Sequence, residues 1–381
     1  MAWDSILAKD FCKSVRDGTH DTPKQMEMGY KLVTSKCIHD GFIFPEEAYF
    51  ISEKDYRAIN ERSLVEQWDV LMSMIGNGLG RSAVVKQKPD YAIKNLALFK
   101  VGDEYKAKWL HYYLSSPVGQ GLIYNSLQGS GQPFISLNLL RNFAIPNPPY
   151  EAIKKIVSVL ELYDNLIENN QKQIKLLEEA AQRLYKQWFI DLRYPGHETT
   201  KIVDGLPEGW KKGIVGEIAE FKRGKVITKA QVAEGNVPVV AGGLEPAYYH
   251  NTANTTAPVI TVSGSGANAG FAQLYNENVF ASDCSFADVN TTPYVYFVYC
   301  LLKDKKTELD SLQKGAAQPH VYAKDINALT TLIPPEDVLK LYTKYASPYF
   351  EKIKALKEQI KNLTQSRDRL LPKLMNGEIE A

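Results

Sequence analysis

The feature that most constrains this chain is a stretch without glycine or proline from Tyr150 to Phe189. Apolar residues recur there in steps of three and four, a heptad pattern that predicts one long helix in need of a partner helix. At 1.5 Å per residue this helix would be about 60 Å long, more than an ordinary globular domain requires. The preceding Pro148 and Pro149 suit a first helical turn. The predicted seam residues, with Asn170 as the polar exception, are Ile153, Ile156, Leu160, Ile167, Asn170, Ile174, Leu177 and Leu184.

A second stretch with the same spacing follows Pro334 and Pro335. Each seam position of the second stretch lies as far along the chain from its counterpart in the first stretch as Leu339 lies from Ile153. We expect the two apolar stripes to bury each other in a coiled coil; the alternative is that each helix packs only on its own globular neighbour. The second seam includes Ile353, Leu356, Ile360, Leu363 and Leu370.

Short motifs outside the helices also recur. Gly129–Pro133 resembles Gly315–Pro319, and the glycine-rich segment 76–78 resembles segment 264–266. Internal repeats decide the architecture, so we predict a tandem duplication. The expected fold class is α+β: a mixed α/β globular domain, followed by a long helix, built twice.

The predicted boundaries follow from composition and turn residues. They are a first globular domain at 1–148, a first long spacer helix at 149–190, a linker at 191–205, a second globular domain at 206–335, and a second spacer helix with a C-terminal tail at 336–376. Apolar runs between glycines and charged residues predict strands. In the second domain these runs are Val237–Ala241, Pro258–Val262 and Tyr294–Tyr299.

Composition narrows the function. The formal net charge is +1, so nucleic-acid binding would depend on local basic patches. The four cysteines are scattered, which argues against a zinc site and for a reducing compartment. No apolar run is long enough to cross a membrane, and the N-terminus lacks the pattern of a signal peptide. We therefore expect a cytoplasmic protein without a bound metal.

The letters Asn147-Pro148-Pro149-Tyr150 match the catalytic motif of amino-group DNA methyltransferases. Their context differs, because they lead into the long helix and no glycine-rich turn precedes them at the spacing that S-adenosylmethionine binding requires. Helix entry explains the same residues. A fused adenine methyltransferase using Asn147–Tyr150 is the alternative function.

Several polar and basic side chains lie on predicted loops of both halves. A DNA-facing loop would use such groups to contact phosphates or base edges, while a plain turn or a solvated surface explains them equally well. No Ser-His-Asp set, close carboxylate pair or metal-ligand spacing is present, so no catalytic residue is assigned. The candidate DNA-binding residues are Thr19, His20, Lys24, Asn77, Arg81, Gln132, Arg223, Lys225, Ser263, Ser265, Gln318 and His320.

Together, these features resemble the specificity subunit of type I restriction-modification systems over essentially the whole chain. The segments that carry the resemblance are Asp17–His20, Ile145-Pro146 with Pro148-Pro149, Leu184–Phe189, Leu206–Trp210 and Leu370–Ile379. Any one of them is weak; five in family order on a duplicated frame are specific.

The resemblance implies a non-catalytic DNA-binding subunit with two target recognition domains that read a bipartite duplex sequence. It also implies that the two long helices pair as an antiparallel coiled coil. It implies two modification subunits as partners, which hold S-adenosylmethionine and methylate adenine, and restriction subunits besides. This chain would then carry no cofactor. A third hypothesis is a repeat scaffold that binds only protein.

Overall fold

The computed structural model describes residues 3–379 except 40, 77, 130 and 315–318. The chain divides into two compact units. The first comprises Met1–Glu168 and Ile360–Ala381, and the second comprises Asn169–Gln359. Each long helix therefore contributes one part to each unit.

The first unit combines short strands with helices. Its strands are β1 (Ser5–Leu7), β2 (Ser14–Asp17), β3 (Tyr30–Val33), β4 (Ile38–His39), β5 (Phe42–Ile43), β6 (Tyr49–Ile51), β7 (Val70–Ser73), β8 (Ser82–Val84), β9 (Tyr91–Ile93), β10 (Leu96–Lys100) and β11 (Ala144–Pro146). Its helices are α1 (Ala8–Phe11), α2 (Glu53–Ser63), α3 (Glu104–Ser115), α4 (Pro117–Asn125), α5 (Leu137–Arg141), the start of α6 (Tyr150–Tyr185) and the end of the second long helix (Glu336–Met375).

The first unit is organised around a four-stranded antiparallel sheet in the order β2-β10-β7-β8. A three-stranded sheet, β6-β3-β9, includes the parallel pair β3–β9. Strand β1 pairs with β11 immediately before the long helix. Strands β7, β8 and β9 are buried along their whole length, as expected of strands packed on both faces.

The second unit has its own set of elements. Its strands are β12 (Ile202–Val203), β13 (Leu206–Pro207), β14 (Lys211–Ile214), β15 (Lys222–Arg223), β16 (Val237–Val240), β17 (Tyr248–His250), β18 (Val259–Ser263), β19 (Ala272–Tyr275), β20 (Phe280–Ala281), β21 (Cys284–Asp288) and β22 (Thr330–Ile333). Its helices are the end of α6, α7 (Val295–Asp304), α8 (Lys306–Ser311), α9 (Ala323–Asn327) and the start of α10 (Glu336–Met375).

The sheets of the second unit repeat those of the first. The four-stranded order is β15-β21-β18-β19, the three-stranded order is β17-β16-β20 with β16 and β20 parallel, and β14 pairs with β22 before the second long helix. The predicted duplication and the α+β fold are confirmed.

One predicted strand is wrong. Tyr294–Tyr299 lies at the start of helix α7, which buries Phe297, Val298 and Leu301. A short run of aromatic and β-branched residues does not distinguish a buried strand from a buried helix, and tertiary packing decided this one. The equivalent segment of the first unit, α3, is also a helix.

Inside the first unit the two long helices pair antiparallel. Asp164 on α6 contacts Arg367 on α10. Earlier residues of α6, including Leu160 and Ile153, share a core cluster with the later residues Leu371 and Leu374 of α10. The opposite numerical order of the two helices is what antiparallel pairing requires.

Inside the second unit the pairing continues through other seam residues. Ile174, Leu177 and Leu184 are partly buried against a core that contains Ile353 and Ala181. Leu356 is buried, and Asn170 donates from Nδ2 to Oε1 of Gln359 across 3.3 Å. Of the seam residues in the first unit, Ile153, Ile156, Leu160 and Ile167 are buried, while Ile360, Leu363 and Leu370 are half-buried.

Helix α6 ends in one π-helical turn, Lys186–Ile190. Trp188 and Phe189 of this turn pack against Tyr342, and Phe189 also packs against Trp210 and Phe297. The turn therefore anchors the end of α6 in the aromatic core of the second unit. Among the helices in the described part of the chain, none is long and apolar enough to cross a membrane.

Candidate nucleic-acid interface

In the first unit, backbone hydrogen bonds gather loops that are distant in the sequence. The Gly18 amide donates to the Leu96 carbonyl (2.9 Å), and the Thr19 amide donates to the Ile93 carbonyl (3.0 Å). The Asn95 amide donates back to the Thr19 carbonyl (3.0 Å), and the Met74 amide donates to the Asn95 carbonyl (3.4 Å). The end of β2, the β9–β10 turn and the end of β7 therefore meet at one place, which we call the first loop cluster.

His20 is fixed within this cluster by two side chains. Its Nε2 lies 3.0 Å from Oδ2 of Asp17, and its Nδ1 lies 2.9 Å from Oδ1 of Asn95. The His20 side chain is nevertheless 62% exposed. Such an exposed ring, oriented from both sides, can face a ligand without a large loss of side-chain entropy.

The loop after β7 and the loop before α5 complete the first cluster. The Ile135 amide donates to the Met74 carbonyl (3.0 Å), and Phe134 bridges to Ile75. A Cβ placed on Gly76 would lie 3.5 Å from Nε2 of Gln132, so the structure brings that candidate to the glycine-rich loop. Arg81 closes this loop and is exposed.

Two other candidates of the first half stand apart. Asn77 lies outside the described residues. Lys24 is exposed, and within the part of the chain that the structure describes no hydrogen bond joins it to the first loop cluster.

The second unit builds the same arrangement. The Gly224 amide donates to the Cys284 carbonyl (2.8 Å), and the Lys225 amide donates to the Ala281 carbonyl (3.0 Å). The Gly264 amide donates to the Asp283 carbonyl (3.1 Å), and the Val321 amide donates to the Gly264 carbonyl (3.1 Å). We call this set the second loop cluster.

The candidate side chains of the second half fall into two groups. Arg223 and Lys225 are exposed at the end of β15. Ser263 is buried and donates to the Gly242 carbonyl (3.1 Å), so it supports the loop. Ser265 donates from Oγ to Oδ2 of Asp283 and bridges through its backbone to His320.

His320 stacks on Tyr322, with ring centroids 6.1 Å apart. Gln318 lies outside the described residues. The structure therefore gathers Arg223, Lys225, Ser265 and His320 around one loop junction.

The shared hydrogen bonds correct one detail of the sequence repeat. The Gly80 amide donates to the Ser73 carbonyl as the Gly270 amide does to the Ser263 carbonyl, and the Leu79 amide donates to the Gly76 carbonyl as that of Ala269 does to Gly266. Gly76 is therefore equivalent to Gly266, not to Gly264. The sequence match of segment 76–78 with segment 264–266 was therefore wrong by two residues. Gly76 and Gly266, with φ angles of 79° and 78°, share the left-handed turn conformation.

The sequence missed two residues at the centre of the clusters, Asn95 and Asp283. The Asn95 carbonyl accepts from the amide of Met74, which follows Ser73, and the Asp283 carbonyl accepts from the amide of Gly264, which follows Ser263. The two residues therefore hold equivalent places. Asn95 lies between strands β9 and β10, and Asp283 lies between strands β20 and β21. A polar residue between two largely apolar strands is the sequence signal that could have identified each of them.

Among the described residues of the clusters, no side chain is arranged for catalysis. Burial raises the pKa of the Cys284 thiol to about 12, so this cysteine beside the second cluster is not a reactive nucleophile. Within the described residues, no group of three or more His, Cys, Asp or Glu side chains could hold a metal ion. What the clusters offer is hydrogen-bond donors, acceptors and cations on exposed loops.

The methyltransferase motif serves helix entry instead. The Pro149 carbonyl accepts from the amides of Ala152 (2.9 Å) and Ile153 (3.1 Å), and the Asn147 amide donates to the Asp4 carbonyl (2.8 Å). The Tyr150 hydroxyl donates to Oδ2 of Asp103 (2.9 Å). The Pro149 carbonyl and the Tyr150 hydroxyl are thus engaged at the start of α6, as helix entry predicts.

Comparison with known proteins decides the family. The family model described as "Type I restriction modification DNA specificity domain" matches twice, at residues 4–179 and 207–365. The chain belongs to this family. The resemblance inferred from the sequence is confirmed, and the fused methyltransferase receives no support.

Relatives agree with this assignment. The chain is 28% identical over 306 residues to the type I restriction enzyme MjaIX specificity subunit of Methanocaldococcus jannaschii, covering 72% of this chain and 69% of the relative. It is 22% identical over 413 residues of alignment to the putative MjaX specificity subunit of the same organism, covering 99% and 93%. As a member of a DNA specificity family, this chain is a non-catalytic recognition component.

A solved structure shows the same fold. The S subunit of a type I restriction-modification system from M. genitalium superposes with a TM-score of 0.57 at 17% identity, covering 98% of this chain and 96% of that one. At this identity the likeness concerns the fold alone.

Proposed function

We propose that this specificity chain reads a bipartite duplex DNA sequence, with one loop cluster for each half-site. It would recruit two modification subunits, which hold S-adenosylmethionine and methylate adenine, together with restriction subunits. The complex would act in the cytoplasm. This chain would carry no cofactor of its own.

The observation that carries the proposal is one backbone frame that presents two different sets of side chains. The same hydrogen bonds place Asp17 where the second unit has Arg223, and Thr19 where it has Lys225. Two domains that recognise different half-sites require the same backbone frame with different side chains. A scaffold that binds only protein has no need for such exposed polar loops in both units.

The candidate residues suit distinct roles. Arg223 and Lys225 are exposed cations, suited to phosphate contacts that position the protein on duplex DNA. Gln132 offers hydrogen bonds for base edges. Both ring nitrogens of His20 are engaged by Asp17 and Asn95, so His20 offers the exposed carbon edge and face of its ring. Arg81, which lies on the glycine-rich loop, can serve either purpose.

Protein partners have a surface available on the first long helix. Leu162 and Leu166 are 64% and 50% exposed, one turn apart. They lie on the side of α6 away from the seam residue Leu160, as the 3.6-residue period requires. Exposed leucines at this spacing support docking of the modification subunits on the helix.

The proposal is tested by exchanging residues 1–144 for those of another family member and mapping methylated adenines in cells that also express the modification subunit. We expect one half of the methylated motif to change and the other half to persist. The reciprocal control exchanges residues 207–330 and should change only the other half. The proposal would be overturned if neither the wild-type complex nor the exchanged complexes methylated a bipartite motif.

A further inference from the structure

Asp283 occupies the centre of the second loop cluster. It lies in the two-residue turn between β20 and β21. Gly224 and Lys225 bond to backbone on either side of this turn, and Gly264 bonds to the Asp283 carbonyl itself. The half-exposed Asp283 side chain therefore lies in a turn that is bonded to the backbone of Gly224 and Lys225 and to the Ser265 loop.

The Asp283 carboxylate is oriented but not neutralised by a cation. Ser265 donates from its hydroxyl to Oδ2. A Cβ on Gly264 would lie 3.4 Å from Oδ1, which places this second oxygen beside the glycine backbone. Among the described residues, the side chain that bonds to this carboxylate is Ser265, and no lysine, arginine or histidine pairs with it.

An unpaired carboxylate is costly at a DNA-binding surface. Duplex DNA carries about one negative charge per 1.7 Å of axis, so a carboxylate facing phosphates is repelled. The cost is offset when the carboxylate accepts a hydrogen bond from a base. In the major groove the available donors are the exocyclic amines of cytosine and adenine.

The acceptor-only character of the carboxylate separates these two bases. Adenine presents the N7 acceptor beside its N6 donor, so a second carboxylate oxygen would face a lone pair. Cytosine presents N4 without a neighbouring acceptor on its own edge. We propose that Asp283, held by Ser265, accepts a hydrogen bond from cytosine N4 and specifies a C·G pair in the half-site of the second unit.

The equivalent residue of the first unit is Asn95. Its Oδ1 contacts His20 Nδ1, which leaves its amide nitrogen available as a donor. An amide has both a donor and an acceptor, the chemistry that suits adenine. The two units thus place a carboxylate and an amide at one position of a shared frame.

This inference rests on the proposed function, and the wild-type complex provides its first test. Methylome mapping and the domain exchange identify the half-site read by the second unit. Duplexes are then made with N4-methylcytosine at each cytosine of that half-site in turn. In a base pair this methyl group replaces the N4 hydrogen that faces the major groove. At one position we expect binding by the assembled complex to weaken about 5- to 150-fold, the range for loss of one base contact.

Variants provide the second test. Asp283→Asn adds a donor and should relax the C·G preference toward A·T at that single position. Asn95→Asp, the matched exchange in the other unit, should alter only the other half-site. Asp310→Asn, which removes an exposed carboxylate paired with Lys306, should leave both half-sites unchanged.

The outcomes separate the two ideas. A wild-type complex without a methylated bipartite motif contradicts the proposed function. A normal wild-type motif overturns the role of Asp283 alone if the second half-site lacks a C·G pair, or if no N4-methylcytosine weakens binding. The binding assay with modified duplexes uses the wild-type protein, so it decides the question even where Asp283→Asn does not fold.

Discussion

Arg367 of α10 donates from Nη1 to Oδ1 of Asp164 on α6 across 2.7 Å, which ties the two long helices together inside the first unit. The Tyr112 hydroxyl of α3 donates to the other oxygen, Oδ2, at 2.5 Å. One carboxylate thus joins the recognition part of the first unit to both helices. Arg367 and Asp164 side chains are 28% and 23% exposed, so water screens this contact only in part.

Replacing Arg367 by methionine should destabilise the first unit. The stem of the side chain is kept, but the Asp164 carboxylate loses its charged donor in a partly buried place. We expect a loss of about 1–3 kcal/mol in the free energy of unfolding, measured by urea denaturation. Arg57→Ala is the control, because the Arg57–Glu53 pair is exposed and should contribute less than about 1 kcal/mol. Equal losses in the two variants would contradict a special role for Arg367.

Replacing Asn170 by leucine should stabilise the second unit. Asn170 is buried and makes one long hydrogen bond to Gln359, which is itself exposed and can turn to water. Removing the asparagine therefore leaves no buried polar group without a partner. We expect a gain of about 1 kcal/mol in the free energy of unfolding. The register of the two helices should become less specific, because polar seam residues specify register at a cost in stability.

The control for this prediction is Lys175→Leu, an equally large apolar change at an exposed position of α6. It should leave the urea midpoint nearly unchanged. A lower midpoint for Asn170→Leu than for wild type would show that the Asn170–Gln359 bond itself stabilises the pair.

His111 should make the stability of the first unit depend on pH. Burial, with a smaller effect of nearby Arg367, lowers the pKa of His111 to about 4 from 6.5. Between these values the unfolded chain binds a proton that the folded chain does not. Stability therefore falls as the pH drops from about 6.5 toward 4, by roughly 1–2 kcal/mol at pH 5.

The measurement compares urea unfolding at pH 7 and pH 5 for wild type and His111→Gln. The wild type should lose more stability than the variant over this range. Ser82→Ala removes the group 3.0 Å from His111 Nδ1 but keeps the titrating ring, so it should retain the pH dependence. A His111→Gln protein with the wild-type pH dependence would exclude His111 as its source.

Lys225→Ala should weaken DNA binding by the assembled complex on all sequences alike. A phosphate contact carries no base information, so the methylated motif should stay the same. The slope of the logarithm of affinity against the logarithm of salt concentration should decrease by about 1. Lys211→Ala is the control, since Lys211 pairs with Glu217 outside the second loop cluster. A changed motif in Lys225→Ala would reveal base recognition instead.

Much of the architecture follows from local spacing in the sequence. The period of apolar residues predicted α6 and α10, because helical periodicity is set by neighbours three and four residues apart. The strands that begin at Val237 and Val259 were recognisable for the same local reason. Recurrent motifs predicted the duplication that the matching strand orders confirm.

Tertiary structure alone decided the loop clusters. His20, Asn95 and Gln132 are far apart in sequence, and only the pairing of β2 with β10 and of Ile75 with Phe134 brings their loops together. It also decided that α7 is a helix and that Gly76 corresponds to Gly266. These outcomes depend on non-local contacts, whose energies are not contained in any short segment. The sequence therefore determined which segments are helices with a shared seam, whereas long-range strand pairing determined which side chains form a site.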